Sequence, residues 1–155
     1  MVAILANIRS LHNVGSIFRT ADAAGVQKLY LAGITPTPRD RFGNPEPKLA
    51  KVALGAEKTV AWEKAASVSA LINQLKKEGF KIWAVEQSKK SIPYYRLKIK
   101  NYKLKIGLVF GNEVSGLSPA ILKKCDKILE IPMKGKKESL NVSVAFGVVA
   151  FGIIR

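Results

Sequence analysis

Short apolar runs alternate with helical patterns along the whole chain, and this alternation most restricts how it can fold. VAILA (2–6) reads as a buried strand. Residues 14–24 follow as a helix, with Asn13 placed to cap it and Gly25 to stop it. QKLYLA (27–32) reads as a second strand. Residues 33–47 hold four prolines and two glycines and form a loop, which also carries Arg39 and Arg41. Residues 48–62 suggest one helical turn and then a short strand near 59–62. The spacing of Ala66, Val68, Leu71, Ile72 and Leu75 predicts an amphipathic helix over 63–78, ended by Gly79. FKIWAVE (80–86), KIGLVF (105–110) and KILEIP (127–132) read as strands, 118–124 as a short helix, and the terminal helix begins near Ser139. Strands alternating with helices imply an α/β layered fold with a largely parallel sheet. In such sheets ligands bind at the loops that follow the carboxyl ends of the strands.

The 155 residues suit a single domain over 1–155, large enough to bury a core without disulfides or metal. Cys125 is the only cysteine, so neither an internal disulfide nor a cysteine zinc cluster can form, and a reducing cytoplasm fits. His12 is the only histidine, so a Ser-His-Asp triad could be built only around it. The opening MVAILANIRS has too short an apolar run for a signal peptide and no basic residue before it. VSVAFGVVAFGIIR places 13 apolar or small residues before Arg155, short of the roughly 20 a bilayer crossing needs. It reads as a buried helix, with a subunit interface as one surface that could cover it.

Charge gives the first sign of a partner. Against 11 acidic residues stand 26 Lys and Arg, for a net charge of +15. Between Glu86 and Glu113 there is no acidic residue, while Lys89, Lys90, Arg96, Lys98, Lys100, Lys103 and Lys105 are interleaved with Tyr94, Tyr95 and Tyr102. Such a segment suits a phosphate backbone with bases stacked on the aromatics. A solvated surface that keeps the protein soluble, or an anionic membrane surface, would show the same composition.

Three loops fall where ligands bind. Asn13, Gly15, Arg19, Thr20 and Ala21 lead into the first helix, and Asn13 and Arg19 could share a site. Phe110-Gly111-Asn112-Glu113-Val114-Ser115-Gly116-Leu117 follows an apolar strand, with glycines that permit close backbone approach. It lacks both the dinucleotide G-x-G-x-x-G spacing and the G-K-[ST] of a P-loop. Ile131-Pro132-Met133 leads through Lys134–Lys137 to Ser139-Leu140-Asn141-Val142-Ser143, where Ser139 or Asn141 could cap the last helix.

In this order and spacing, N-x-G-x-x-x-R-T-A, F-G-x-E-x-x-G-L and I-P-M…S-L-N-V-S resemble the signature motifs of the SpoU family of RNA methyltransferases, within the SPOUT superfamily. Leu54-Gly55-Ala56-Glu57-Lys58 is similar to the family's middle region, so the resemblance covers nearly the whole chain. It implies a SPOUT-type parallel sheet flanked by helices, with a deep C-terminal trefoil knot that general topology rules would not suggest. It also implies S-adenosylmethionine as cofactor, a homodimer, no metal, and methyl transfer to a ribose 2′-oxygen of transfer or ribosomal RNA. On matching positions the cofactor would contact Gly111, Ile131 and Leu140, with Met133 nearby. The catalytic positions would be Asn13, Arg19, Glu113, Ser139 and Asn141.

Many relatives carry an extra N-terminal RNA-binding domain, whereas here the first strand starts at once. Substrate choice would then rest on Arg39, Arg41, residues 89–105 and Lys134–Lys137, and transfer RNA is the favoured class. A guanidinium is a poor base near neutrality, so Arg19 would act by gripping an RNA phosphate bidentately, or by stabilising the forming alkoxide. Glu113 would hold loop geometry rather than act as base. The remaining alternatives are a non-catalytic RNA-binding or ribosome-assembly module and a methyltransferase acting on a base.

Overall fold

A computed structural model of the chain describes residues 1–97, 99 and 103–153. Lys98, Lys100 and Tyr102 of the basic segment, and Arg155, lie outside them. The described residues form one sheet of seven strands: Val2–Ala6 (β1), Lys28–Ala32 (β2), Ala61–Ala65 (β3), Lys81–Val85 (β4), Ile92–Pro93 (β5), Ile106–Phe110 (β6) and Lys127–Glu130 (β7). Their order is β3-β2-β1-β6-β4-β7-β5, and every pairing is parallel. The helices are Leu11–Ala24 (α1), Pro47–Ala53 (α2), Ala56–Thr59 (α3), Val68–Lys77 (α4), Pro119–Leu122 (α5) and Val142–Ile153 (α6).

Alternation along each strand sends side chains into two cores. Ala3, Leu5, Leu29, Leu31, Leu108 and Phe110 face one side, packed with Val14, Ile17 and Phe18 of α1, Leu49 of α2 and Phe146 and Val149 of α6. Val2, Ile4, Tyr30, Ile82, Ala84 and Val109 face the other, covered by Leu71, Ile72 and Leu75 of α4. Burial on both faces explains why β1 and β6 are apolar throughout, as parallel strands in covered sheets are. Edge strand β3 instead carries Glu63 and Lys64, and Glu63 pairs with Lys28 at 2.6 Å.

Several boundaries differ from expectation. Ser10, not Asn13, caps α1: its Oγ accepts from the Asn13 N–H at 3.1 Å. Asn13 lies in the first turn, its side chain committed elsewhere. Gly25 ends the helix as expected, at φ 69°, its N–H turned to Ala21 and Asp22. The first residues of the expected 63–78 helix belong instead to β3, which pairs with β2. The helix starts at Val68, where the Ser67 side chain accepts from Ala70 N–H. Residues 48–62 hold α2 and α3 rather than one turn. The last helix starts at Val142, and Asn141 Oδ1 accepts from Ser143 N–H at 2.9 Å. Tyr94, read as a stacking residue, packs on α6, where a Cβ at Gly152 would come within 2.4 Å of its ring.

The loop after β2 is anchored at its root by Thr35, which is fully buried. Its one hydroxyl proton is shared between the carbonyl oxygens of Leu5 and Ala32, both 2.8 Å from Oγ1, and Oγ1 accepts from Ile8 N–H at 3.0 Å. Thr35→Val keeps the shape and leaves the buried Ile8 N–H without that acceptor. Such a group costs about 1–3 kcal/mol, so the urea midpoint should fall correspondingly with an unchanged slope.

Candidate active site

Because the strands are parallel, the exits of β4, β6 and β7, adjacent in the sheet, open on one edge. A cavity of about 270 Å³ lies there. Gly111, Glu113, Ile131, Met133, Ser139, Leu140 and Asn141 line it, so the second and third loops meet as expected. The backbone itself pinches the floor: a Cβ on Gly111 would sit 2.6 Å from the Gly116 carbonyl carbon. Between these glycines, Asn112 Oδ1 accepts from the N–H groups of Val114 (2.8 Å) and Ser115 (3.2 Å), which fixes the turn.

The first loop joins through Asn13, which is buried. Its Nδ2 donates to Glu113 Oε1 at 3.1 Å and its Oδ1 accepts from Asn141 Nδ2, also at 3.1 Å. One side chain from each loop thus belongs to a single hydrogen-bonded set at the rim of the cavity. Glu113 also accepts from Arg9 N–H at 3.1 Å and Ser10 N–H at 3.3 Å, where the positive end of the α1 dipole favours a carboxylate. Burial alone would push the Glu113 carboxyl up. The N–H groups of Glu113 itself, Arg9 and Ser10 and the Asn13 amide outweigh burial and hold it below the usual range.

Arg19 is not brought to this cluster within one chain. It is exposed, six residues beyond Asn13 on α1, about 120° round the helix and 9 Å along it. Ser139 lines the cavity from an exposed position. His12 is exposed and does not line the cavity. Lys134, Lys136 and Lys137 are exposed and do not line this one. Burial first, and Asp126 second, push the Cys125 thiol up to about 11, which makes it a poor nucleophile.

Sequence reasoning missed Glu86, Gln87 and Glu130, which also line the cavity. Glu86 accepts from the backbone N–H groups of Leu117 (2.9 Å) and Gln87 (3.0 Å), Glu130 accepts from Ser91 Oγ (2.8 Å), and Gln87 donates to the Glu138 carbonyl. Glu86 and Glu130 stand at strand ends that the carboxyl-end rule singles out. In a chain of net charge +15, three carboxylates and, among the described residues, neither lysine nor arginine line this cavity. It suits a cationic, partly flat and apolar ligand rather than a phosphate.

Fold and site together define an α/β protein with a ligand cavity at the ends of three parallel strands, closed by the turn into its last helix. Residues 1–151 match the SpoU rRNA methylase family, and the chain belongs to that family. It is 34% identical over 97% of its length to a tRNA (guanosine(18)-2′-O)-methyltransferase from Aquifex aeolicus, of which it covers 67%. An AdoMet-bound rRNA methyltransferase from Sinorhizobium meliloti superposes with a TM-score of 0.86 at 26% identity, covering 97% of this chain and 54% of that one. A structure described by the 2-OH methylation of C/U34 on tRNA superposes with a TM-score of 0.80 at 28% identity, covering 97% and 91%. The chain spans 58% of the length of several other curated relatives.

The Glu113 contacts have a consequence for acid stability. A carboxyl lowered on folding stabilises the fold fully above its unfolded value, roughly pH 4–5, and the contribution is lost as pH falls through the lowered folded value. Glu113→Gln should therefore flatten the acid limb of stability against pH, read by urea unfolding at pH steps below neutrality.

Proposed function

We propose that this chain transfers a methyl group from S-adenosylmethionine to a ribose 2′-hydroxyl of transfer or ribosomal RNA, as a homodimer in the cytoplasm. One observation carries the reading: Asn13, Glu113 and Asn141, one from each loop, are hydrogen-bonded together beside a cavity that Gly111, Ile131, Met133, Ser139 and Leu140 line. Family membership supports the reading, as does the 2′-O chemistry in the name of the Aquifex relative.

The cavity fits the cofactor by its chemistry. Val85, Ile131, Met133 and Leu140 offer apolar surface for a flat base, and Glu86 and Glu130 offer carboxylates toward hydroxyl or cationic groups. When bound, S-adenosylmethionine supplies an electrophilic methyl on a sulfonium. The chain's own task is to bring the hydroxyl into line, remove its proton and exclude water; alignment alone can contribute about 7–11 kcal/mol. Asn13, Ser139 and Asn141 orient the ribose and the motif loops through neutral hydrogen bonds, Asn13 acting through Asn141 because both ends of its buried amide are already bonded. Glu113, saturated with N–H donors and held ionised, fixes the loops instead of taking the proton.

Arg19 acts in this reading from the partner subunit. Val144 and Phe151, seven residues apart on one side of α6, are 50% and 53% exposed, and form an apolar stripe for a second copy. A Cβ on Gly147 of α6 would lie 3.4 Å from the Thr20 methyl, so α1 runs beside that stripe and Arg19 is one residue from the contact. Gripping the neighbouring RNA phosphate, it lets that phosphate accept the hydroxyl proton. The deep C-terminal knot belongs to the same proposal. Its support is that β6 and β7 flank β4, and that α6 returns across the β4 and β6 exits to pack on α1, with Phe146 5.1 Å from Phe110.

The test uses tritiated S-adenosylmethionine with separate pools of unmodified transfer and ribosomal RNA, followed by alkaline digestion. Label in alkali-stable dinucleotides is expected and names the RNA class. Label in mononucleotides would move the reaction to a base, and cofactor binding without any label would favour the non-catalytic module. Arg19→Lys keeps the charge and loses the planar fork. Its turnover should fall at least about tenfold, within the range of lost proton-transfer assistance, with cofactor affinity unchanged by calorimetry. Wild-type turnover would remove the bidentate contact.

A further inference from the structure

Beyond the methyl-transfer cavity, the same sheet edge carries a second feature that the chemistry does not use. A second cavity, of about 360 Å³, shares Asn112 and Gly116 with the first and extends to Arg9 and Ile34. It leads toward the loop that leaves β2, whose exit lies two strands, about 10 Å, from that of β6. Val114 (83% exposed) and Ile34 (63%) stand out from this edge, and Phe42 (74%) stands out from the loop that leaves it. Arg9, Arg39 and Arg41, all exposed, accompany them.

Phe42 is held there by construction. Asp40 Oδ1 accepts from Phe42 N–H at 2.8 Å and from Asn44 N–H at 2.9 Å, and Asp40 N–H donates to the Asn44 carbonyl at 2.8 Å. Arg39 Nη1 donates to the Gly43 carbonyl at 2.9 Å, and Arg39 bridges to Pro45. At the root of the loop, Thr35 is buried and Lys64 Nζ reaches the carbonyl oxygens of Gly33 and Thr35, both at 2.6 Å. None of these contacts needs the Phe42 ring; a polar side chain would leave them intact and avoid exposing an aromatic. Among the described residues, the Arg41 guanidinium, 4.7 Å from its centroid, is the cation that faces the ring. A ring with one face on a guanidinium, on a rigid turn in a strongly basic chain, is suited to a flat, anionic-backboned ligand.

We propose that Phe42 and Arg41 stack an unpaired RNA base beside the target nucleotide, and that the groove past Arg9 and Ile34 carries the strand between the two. The inference rests on the RNA methyl-transfer reading and adds a substrate contact to it. It assigns base stacking to the 38–46 turn, in place of Tyr94, which is packed on α6.

The test compares the full wild-type chain with Phe42→Ala, Phe42→Trp and Arg41→Ala on the unmodified RNA pool that the wild type methylates. Phe42→Ala should raise KM for RNA about tenfold, in the range of one lost base–aromatic stack, with kcat, cofactor affinity, melting temperature and sedimentation unchanged. Phe42→Trp should restore KM. Arg41→Ala should lower the slope of log affinity against log salt by about one, whereas Phe42→Ala should leave it unchanged. Ultraviolet cross-linking should attach a nucleotide to the peptide containing Phe42. An unchanged KM in Phe42→Ala overturns the inference while leaving methyl transfer standing. Altered sedimentation with unchanged KM overturns it in favour of a protein contact. A wild-type chain that neither binds nor methylates either RNA pool overturns the functional reading and this inference with it.

Discussion

The Asn13 side chain, between Glu113 and Asn141, is the interaction on which the site depends. Its two bonds span sequence separations of 100 and 128 residues. Each partner also fixes an element end: Glu113 binds N–H groups at the start of α1, and Asn141 caps α6. The beginning of the first helix, the turn after β6 and the beginning of the last helix are therefore positioned relative to one another by three side chains. The cavity walls follow from that, because Gly111 and Ser139–Val142 are the neighbours of the bonded residues. A site assembled from loops gains in this way the fixed geometry that loops alone do not provide.

Electrostatics divide the molecule the same way. The surface is strongly cationic, yet the cavity is lined by Glu86, Glu113 and Glu130. Backbone N–H groups hold the first two, so the carboxylates are ordered without consuming lysine or arginine. The outer charge can then serve a phosphate backbone while the interior disfavours one. In the proposed reading, one chain thus separates two ligands of opposite character over a short distance.

Local pattern made the sheet legible. VAILA and IGLVF carry a two-sided apolar run that only a covered parallel strand explains, and β1 and β6 fall where that run lies. Gly25 and the Ser118-Pro119 start of α5 likewise follow from conformational preference. The misreadings share one cause, which is that a residue's partner was distant. Asn13 looks like a cap because its neighbours are helical, but Ser10 caps the helix and Asn13 bonds across the fold. Residues 63–65 look like the start of α4 until β2 is present to pair with them. The motif spacings foretold which loops meet, and only the fold shows that Arg19 points away from the cluster within its own chain. Glu86 was hidden differently: it follows a strand without any motif around it.

The position of β6 has a consequence for how the chain is made. It inserts between β1 and β4, and pairs Leu108 with Ala3 on one side and Trp83 on the other. As the polypeptide leaves the ribosome, β1 and β2 can pair early, but the other edge of β1 waits for residues 106–110. At synthesis rates of about 5–20 residues per second that delay is roughly 5–20 seconds. Throughout it an entirely apolar strand presents unpaired N–H and C=O groups, the state most prone to pairing with a neighbouring nascent chain. The interval is thus a hazard of synthesis that the stability of the finished sheet does nothing to remove.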